Sequence, residues 1–519
     1  MASAVGTLEL SPDRGHETDR IDVLGLTLKF LLLAACLIGI GVSLDPVTGT
    51  ALVAVALLPW LWGAPVRGVY LLMAASSMIE IYGLSFPDSL TDKVLLWLNL
   101  NNTSGAGVPI TPAEILMLVI AGVTMIKAAG ERSLVLWRGN LMAPFLVFIV
   151  VVLAAEFHGL FSGGDFKLSL WELRPLAYSF ITFLLASTLI QTRKQLITLL
   201  LIFVLAVGVK ILIADYRYLI TLGRNLGGHQ TVLGHEDSYF IDMFLIAIVL
   251  AFVSGLRSRL YLLLYAAAVP LAVLALLANQ RRVGSYALVA ALAALLVTAY
   301  VVEPRLRKAA LIVAAMLVIA IGGVIAASWN INYGLRGELV RPVKTLFDPT
   351  ARDFSSDAYR TAENEDLRIS FQSDPIVGMG FGKPFLTVFP LADISQFYPL
   401  WNVIPHNTLM WVGVRTGAIG FAAFWGLIAM VLLQALYIAK SRRDPLVRAA
   451  ALFAIAAVVA ELVVAYGDLQ LENERNMVFF GIVLGLLNRL SQIRGAAEVT
   501  EEPETNPIAL PVRHEVYMR

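Results

Sequence analysis

Residues 308–327 read KAALIVAAMLVIAIGGVIAA, and Lys308 is the only charged residue among them. About 20 mostly apolar residues cross the hydrocarbon core of a bilayer as a helix. Lipid offers no partner to backbone N–H and C=O groups, so such a run must satisfy them internally as a helix. The same signature recurs along the chain, at about 24–43, 48–63, 67–83, 111–128, 141–158, 172–190, 195–214, 239–255, 259–278, 283–302, 308–327, 414–438, 447–467 and 475–490. The second and third segments are short and close together, which leaves 12–14 spans. Composition points the same way, with 58% hydrophobic and 15% charged residues, where a soluble domain carries roughly 25% charged. A soluble globular protein, a disordered chain and a nucleic-acid binder are excluded, since a net charge of +1 supplies no basic field. The expected fold class is an all-α polytopic membrane protein. Cys36 is the single cysteine and forms no intrachain disulfide.

Orientation follows from the Lys/Arg bias of short loops. Basic clusters at Lys127–Arg138, Arg193–Lys194, Arg257–Arg259, Arg305–Lys308 and Lys440–Arg448 all fall on one side in the fourteen-helix count. That side is expected to be cytoplasmic and to hold both termini. The chain then divides into an N-terminal tail at 1–21, transmembrane helices over 22–327, a large outer loop at 328–405, further transmembrane helices over 406–490 and a disordered acidic tail at 491–519. The first apolar run reads as a retained signal anchor. The outer loops near 84–110, 158–171, 215–238 and 328–405 are long. The last has apolar and aromatic content of its own and is expected to be a folded cap with short helices.

Charged residues inside spans are costly and are candidates for function. Glu80, Glu156, Glu172, Arg174, Lys210, Asp215, Asp242, Arg281, Arg282, Arg415 and Glu461 all map to outer helix halves or just beyond. A polar cavity opening outward would account for this one-sidedness. Arg281 and Arg282, in the outer turn Asn279-Gln280-Arg281-Arg282-Val283-Gly284, run against the positive-inside trend. Arg174 opens a helix on the same side. Guanidinium groups grip phosphate through bidentate, charge-assisted hydrogen bonds; the alternative is pairing of Arg174 with Glu172 and of the other two with lipid headgroups. His406, in Pro405-His406-Asn407-Thr408-Leu409, sits where the large loop re-enters the membrane and is a candidate general base. His229 and His235 lack zinc spacing, and His158 ends a helix. Glu363-Asn364-Glu365-Asp366 is the strongest candidate for a metal-holding acidic cluster, and its plainer reading is a solvated helix face pairing with Arg360 and Arg368.

Three stretches of the second half carry a likeness: Ser373-Asp374-Pro375-Ile376-Val377-Gly378-Met379-Gly380-Phe381-Gly382, then Pro405-His406-Asn407-Thr408-Leu409, then Gly413-Val414-Arg415-Thr416-Gly417-Ala418-Ile419-Gly420. Together they resemble the O-antigen ligase and polymerase superfamily, in which a glycine-rich turn in the large periplasmic loop is followed by a His-Asn motif and a glycine-bearing helix. Trp171–Arg174 resembles that family's arginine-bearing helix start, Arg282-Val283-Gly284 its outward turn, and Tyr359-Arg360 its loop arginine. The likeness covers roughly 170–490. Arg415 stands near the position of a family glutamate, and Gln280-Arg281 replaces a serine, so Arg281 and Arg282 compete for one role.

The resemblance implies a GT-C-like integral-membrane glycosyltransferase in the cell inner or plasma membrane, with its active site facing the periplasm or exterior. Its partners would be an undecaprenyl-diphosphate-linked glycan donor, a glycan or lipid acceptor and membrane lipids, with no nucleic acid, cofactor or metal. Arg174 and Arg282, or Arg281 in its place, would hold the diphosphate with Arg360. His406 would take the acceptor proton for an inverting transfer. Tyr359, Asn407, Arg415 and Glu461 are candidates for support. A transferase using polyprenyl monophosphate sugars ranks lower, because the first outer loop carries Asp45 alone. A lipid-linked glycan flippase or other transporter is the non-enzyme alternative. It predicts inner-half charges and midplane helix breaks, neither of which the sequence suggests.

Overall fold

A computed structural model describes residues 46–81, 96–98, 110–130, 139–226, 231–331, 333–396 and 398–493, with short pieces at 7–8, 21–22, 25–30 and 33. Most of the first candidate span, Cys36, His229, residues 131–138 of the first basic cluster and the C-terminal tail lie outside the described residues. Apart from a two-residue antiparallel pairing of Thr7–Leu8 with Ile21–Asp22, the elements are helical. They are α1 (Pro46–Gly63), α2 (Val66–Met78), α3 (Pro112–Gly130), α4 (Met142–Phe161), α5 (Phe166–Leu189), α6 (Arg193–Tyr216), α7 (Asp237–Val253), α8 (Arg259–Ala278), α9 (Arg282–Val302), α10 (Arg307–Ser328), α11 (Gly334–Lys344), α12 (Ala351–Ser373), α13 (Thr408–Ser441), α14 (Pro445–Gly467) and α15 (Glu474–Leu490).

The chain is an all-α polytopic membrane protein. Among the described residues eight helices are long and apolar enough to cross a membrane. Their surfaces agree: on α10, Leu311, Val318 and Ile319 are 60%, 71% and 73% exposed. Apolar exposure on that scale has no place in water and is ordinary against lipid chains. In the interior, α15 packs along α5, α14 along α9 and α13, and α2 along α6. Gly481 and Gly485, four apart on α15, let the α5 backbone come close, and a Cβ at Gly485 would lie 2.5 Å from the Phe183 carbonyl oxygen. Small residues at this spacing are how helices approach in lipid, where burial of apolar surface drives nothing.

The large loop is a folded cap, as its composition suggests. One of its helices is longer than expected, since α12 runs through 23 residues. Leu367 of α12, Phe385 and Val414 of α13 form a small second core. The cap is tied to α9 by Arg282, which holds Asp357 with two bonds of 3.0 and 2.7 Å. Arg341 of α11 grips Asp353 at 2.7 Å. Burial opposes ionisation of the Asp353 carboxyl, and Arg341, Thr350 and Arg282 together outweigh it and hold the group below the usual range.

The start and course of α13 also depart from the sequence reading. The α13 segment begins at Thr408, ahead of the expected 414, and its helix is broken at Gly417 (φ 63°, ψ −167°). The glycine turn of the cap fills the break. Met379 and Gly380 donate to the carbonyls of Val414 and Arg415, and Ala418 and Ile419 donate to those of Pro375 and Ile376. The freed backbone groups are thus satisfied by another part of the same protein, the condition for irregular backbone at membrane depth. Gly378 (φ 80°) must be glycine here twice over, because a Cβ would also lie 2.5 Å from the Gly417 nitrogen.

Candidate functional site

His406 stands one residue before the cap of α13. The cap is Asn407, whose side chain accepts from Met410 N, and this fixes where the helix starts. Asn407 also donates to Asn364 Oδ1 at 2.9 Å, which docks α13 on α12. The imidazole is then held by Glu363 of α12. Its Nδ1 lies 3.1 and 3.2 Å from the two carboxylate oxygens, and its backbone N–H donates to Glu363 at 3.0 Å. Glu363 is 1% exposed. A buried carboxylate on Nδ1 favours the tautomer that carries its proton there and leaves Nε2 to accept one. Tyr359, one turn earlier, packs its ring nearly perpendicular to the imidazole, with centroids 5.7 Å apart. Burial, then the Glu363 and Asp393 carboxylates, push the Tyr359 phenol up to about 12.

The acidic run 363–366 is therefore not the solvated face that its spacing suggests. Glu365 does pair with Arg368, at 2.7 Å on the surface. Glu363 holds His406, and Asp366 accepts the backbone N–H groups of Val388 and Phe389 at 2.8 Å each. Among the described residues no group of three or more His, Cys, Asp or Glu is placed to hold a metal ion.

The arginines divide into two sets. Arg281 and Arg360 both bear on Asp468, the residue after α14, together with His235 at 3.8 Å. Burial alone would raise the Asp468 carboxyl, and the neighbouring His235, Arg281 and Arg360 hold it far below its usual range instead. Arg360 Nε is buried without a hydrogen-bond partner among the described residues. Arg360 adjoins Tyr359 on α12, so these cations lie beside the His406 assembly. Arg282 is committed to Asp357 and Asp353, as above. Arg174 bonds Glu114 at 3.1 Å and covers the Trp171 ring. It does not pair with Glu172.

Glu172 has a different role. Fully buried, it accepts from Arg415 Nε at 2.5 Å, Trp411 Nε1 at 3.0 Å and Gly382 N at 2.7 Å. Arg415 in turn donates to the carbonyls of Gly380 and Val403. This pair binds α5, α13, the glycine turn and the approach to His406 into one unit. Other charges from the outer helix halves are also packed against each other. Lys210 meets Glu80 and Asp237, and Arg475 meets Glu236 and Asp237 at 2.8 Å each. Glu461, on α14, is fully buried and its carboxylate has no hydrogen-bond partner among the described residues. Among the described residues it makes no hydrogen bond or ion pair with the groups around His406.

Sequence reasoning missed Glu363 as the partner of His406, and missed Asp468 and Arg475 altogether. A signal for the first was available: Glu363, Asp366, Leu367 and Ser370 recur at spacings of three and four, and all four are buried. No curated protein matches the chain. Residues 267–425, from α8 to the middle of α13, match a family model described as O-antigen ligase, a similarity that supports the likeness to the O-antigen ligase and polymerase superfamily.

Proposed function

We propose that the protein is an inverting GT-C-like glycosyltransferase that moves a glycan from an undecaprenyl-diphosphate carrier to an acceptor hydroxyl at the outer face of the membrane. The observation that carries this reading is the Glu363–His406 pair, seated beside two arginines that share one carboxylate. His406 Nε2 takes the proton of the acceptor hydroxyl, and the freed oxygen attacks the anomeric carbon. The bond from that carbon to the diphosphate oxygen breaks on the opposite face, and the lipid diphosphate departs with the electron pair. Glu363 stabilises the positive imidazolium. Arg281 and Arg360 are the pair assigned to the departing diphosphate, because both act on Asp468 beside the His406 assembly. Preorganised cations at the site of developing charge lower the barrier, and removing one such donor commonly costs about 10²–10³ in rate.

The test is transfer by purified, reconstituted protein from lipid-linked diphosphate donor to a glycolipid acceptor. Arg281→Lys and Arg360→Lys should raise the donor KM and lower kcat together, since lysine keeps the charge and loses the bidentate fork. Transfer should survive excess EDTA, because arginines supply the electrostatic work that carboxylate-held cations supply elsewhere. Loss in chelator with recovery on Mg²⁺ or Mn²⁺ overturns the arginine mechanism. Movement of intact lipid-linked glycan across the bilayer without transfer would favour a transporter. In cells lacking the protein, accumulated single repeats would indicate a polymerase and accumulated finished polymer a ligase.

A further inference from the structure

An open groove of about 460 Å³ lies on the cap beside His406. One wall is a stripe of α12 made by Ser355, Ser356, Ala358, Tyr359 and Ala362, and the other is the segment 390–392. The volume falls within the roughly 300–1,000 Å³ of small-ligand pockets. The groove has no charged side chain in its lining. Diphosphate, which needs cations, is excluded from it, and the cations that could serve lie elsewhere around Asp468. The lining instead combines serines, short apolar side chains and one aromatic ring. Short side chains leave room for a bulky ring at the backbone, and an amphipathic tyrosine offers a flat apolar wall with a polar tip. The Tyr359 hydroxyl is buried without a hydrogen-bond partner among the described residues, an unmet polar group of the kind folded proteins seldom leave. Asp393, exposed just past the second wall and close enough to act on Tyr359 electrostatically, adds an acceptor for hydroxyl groups.

Tyr359 is the element common to the groove and the base. It lines the groove, and its ring packs nearly perpendicular to the His406 imidazole with centroids 5.7 Å apart. A ligand seated there is therefore one side chain away from the nitrogen that takes the proton. We infer that this groove is the acceptor subsite, taking an uncharged, polyhydroxylated sugar ring of the acceptor against Tyr359 so that one of its hydroxyls reaches His406. This assignment rests on the transfer reaction proposed above.

The experiment has two arms, so that the groove and the reaction can fail separately. The acceptor probe is the glycolipid fraction extracted from cells lacking the protein, and its deglycosylated lipid serves as control. In the first arm, hydroxyl-radical footprinting of the full chain is run without donor. The glycolipid should protect residues 355–362 and 390–392, the control lipid should not, and Ala358→Trp, which fills the groove from an exposed helical position, should abolish the protection. No protection, or equal protection by the control, overturns the subsite. In the second arm, Ala358→Trp should raise the acceptor concentration for half-maximal transfer by about tenfold, the signature of lost acceptor binding. An unchanged acceptor dependence overturns the subsite. Footprint protection in a protein that transfers no glycan retains the groove as a sugar site and discards the transfer reaction.

Discussion

His406 has no strong claim to catalysis by its residue type alone, and its claim rests on what touches it. The two oxygens of a buried carboxylate face Nδ1, so the ring is oriented and its charged form is supported. Glu363→Gln should keep the fold and the donor affinity and lower kcat by roughly 10²-fold or more, within the range of general-base contributions. Rescue of the rate by Glu363→Asp, with the donor KM unmoved throughout, separates a positioning role from a merely structural one. If Glu363→Gln transferred glycan at the original rate, the pair would be incidental. Tyr359 makes the complementary case. Its phenol, pushed up to about 12, stays neutral and protonated through the physiological range, because raising an acid's pKa extends its protonated form to higher pH. Tyr359→Phe should therefore leave the pH–rate profile unchanged in shape below about pH 9, while an alkaline limb that moved with this substitution would make Tyr359 the base. The identity of these partners was only half legible. His406 stands out in Pro405-His406-Asn407, whereas Glu363 sits among acids and arginines whose spacing equally suits a solvated face. Which face of α12 is covered depends on a segment that returns 43 residues later, and local spacing carries no record of that contact.

At the scale of elements, the membrane helices were readable because the bilayer imposes one requirement on every span, and the described helices other than α11 and α12 of the cap fall on the apolar runs. The break in α13 was not readable in the same way. Gly413-Val414-Arg415-Thr416-Gly417-Ala418 continues the apolar pattern of the helix, and isolated glycines are ordinary in membrane spans. The break exists because the turn at 375–382 supplies the missing backbone partners, a long-range complement. The Glu172–Arg415 pair holds that complement in place. Replacing one member leaves the other charge buried and alone, at a cost of about 3–5 kcal/mol, whereas removing both is far milder. Glu172→Gln and Arg415→Met should each lower the midpoint of thermal unfolding in detergent sharply. The double variant should recover a large part of the loss. Equal, additive losses would mean that the two side chains act independently and that the turn is held by its backbone bonds alone.

For the whole molecule, the question is which end of the bundle faces which compartment. Several basic clusters meet at one end. Arg193 at the start of α6 bonds Asp444 at the start of α14 at 3.2 Å, and Arg448 reaches Glu303 at the end of α9 at 3.8 Å. The opposite ends of α14 and α9 carry Asp468 and Arg281, next to the cap and His406. The molecule is thus polarised, with a basic end and an end that holds the candidate site, although its net charge is close to zero. We propose, from the bias of Lys and Arg toward cytoplasmic loops, that the basic end faces inward and the candidate site outward. This is the arrangement that a lipid-linked donor already moved to the outer leaflet would require. The orientation is open to a direct check on a background in which Cys36 is replaced by serine. A cysteine at Ser441, exposed at the basic end of α13, should react with an impermeant thiol reagent only after the cells are opened. A cysteine at Ala392, exposed on the cap, should react in intact cells. The reverse pattern would put His406 in the cytoplasm, where nucleotide sugars rather than outer-leaflet carriers are the available donors, and the proposed reaction would fall with the topology.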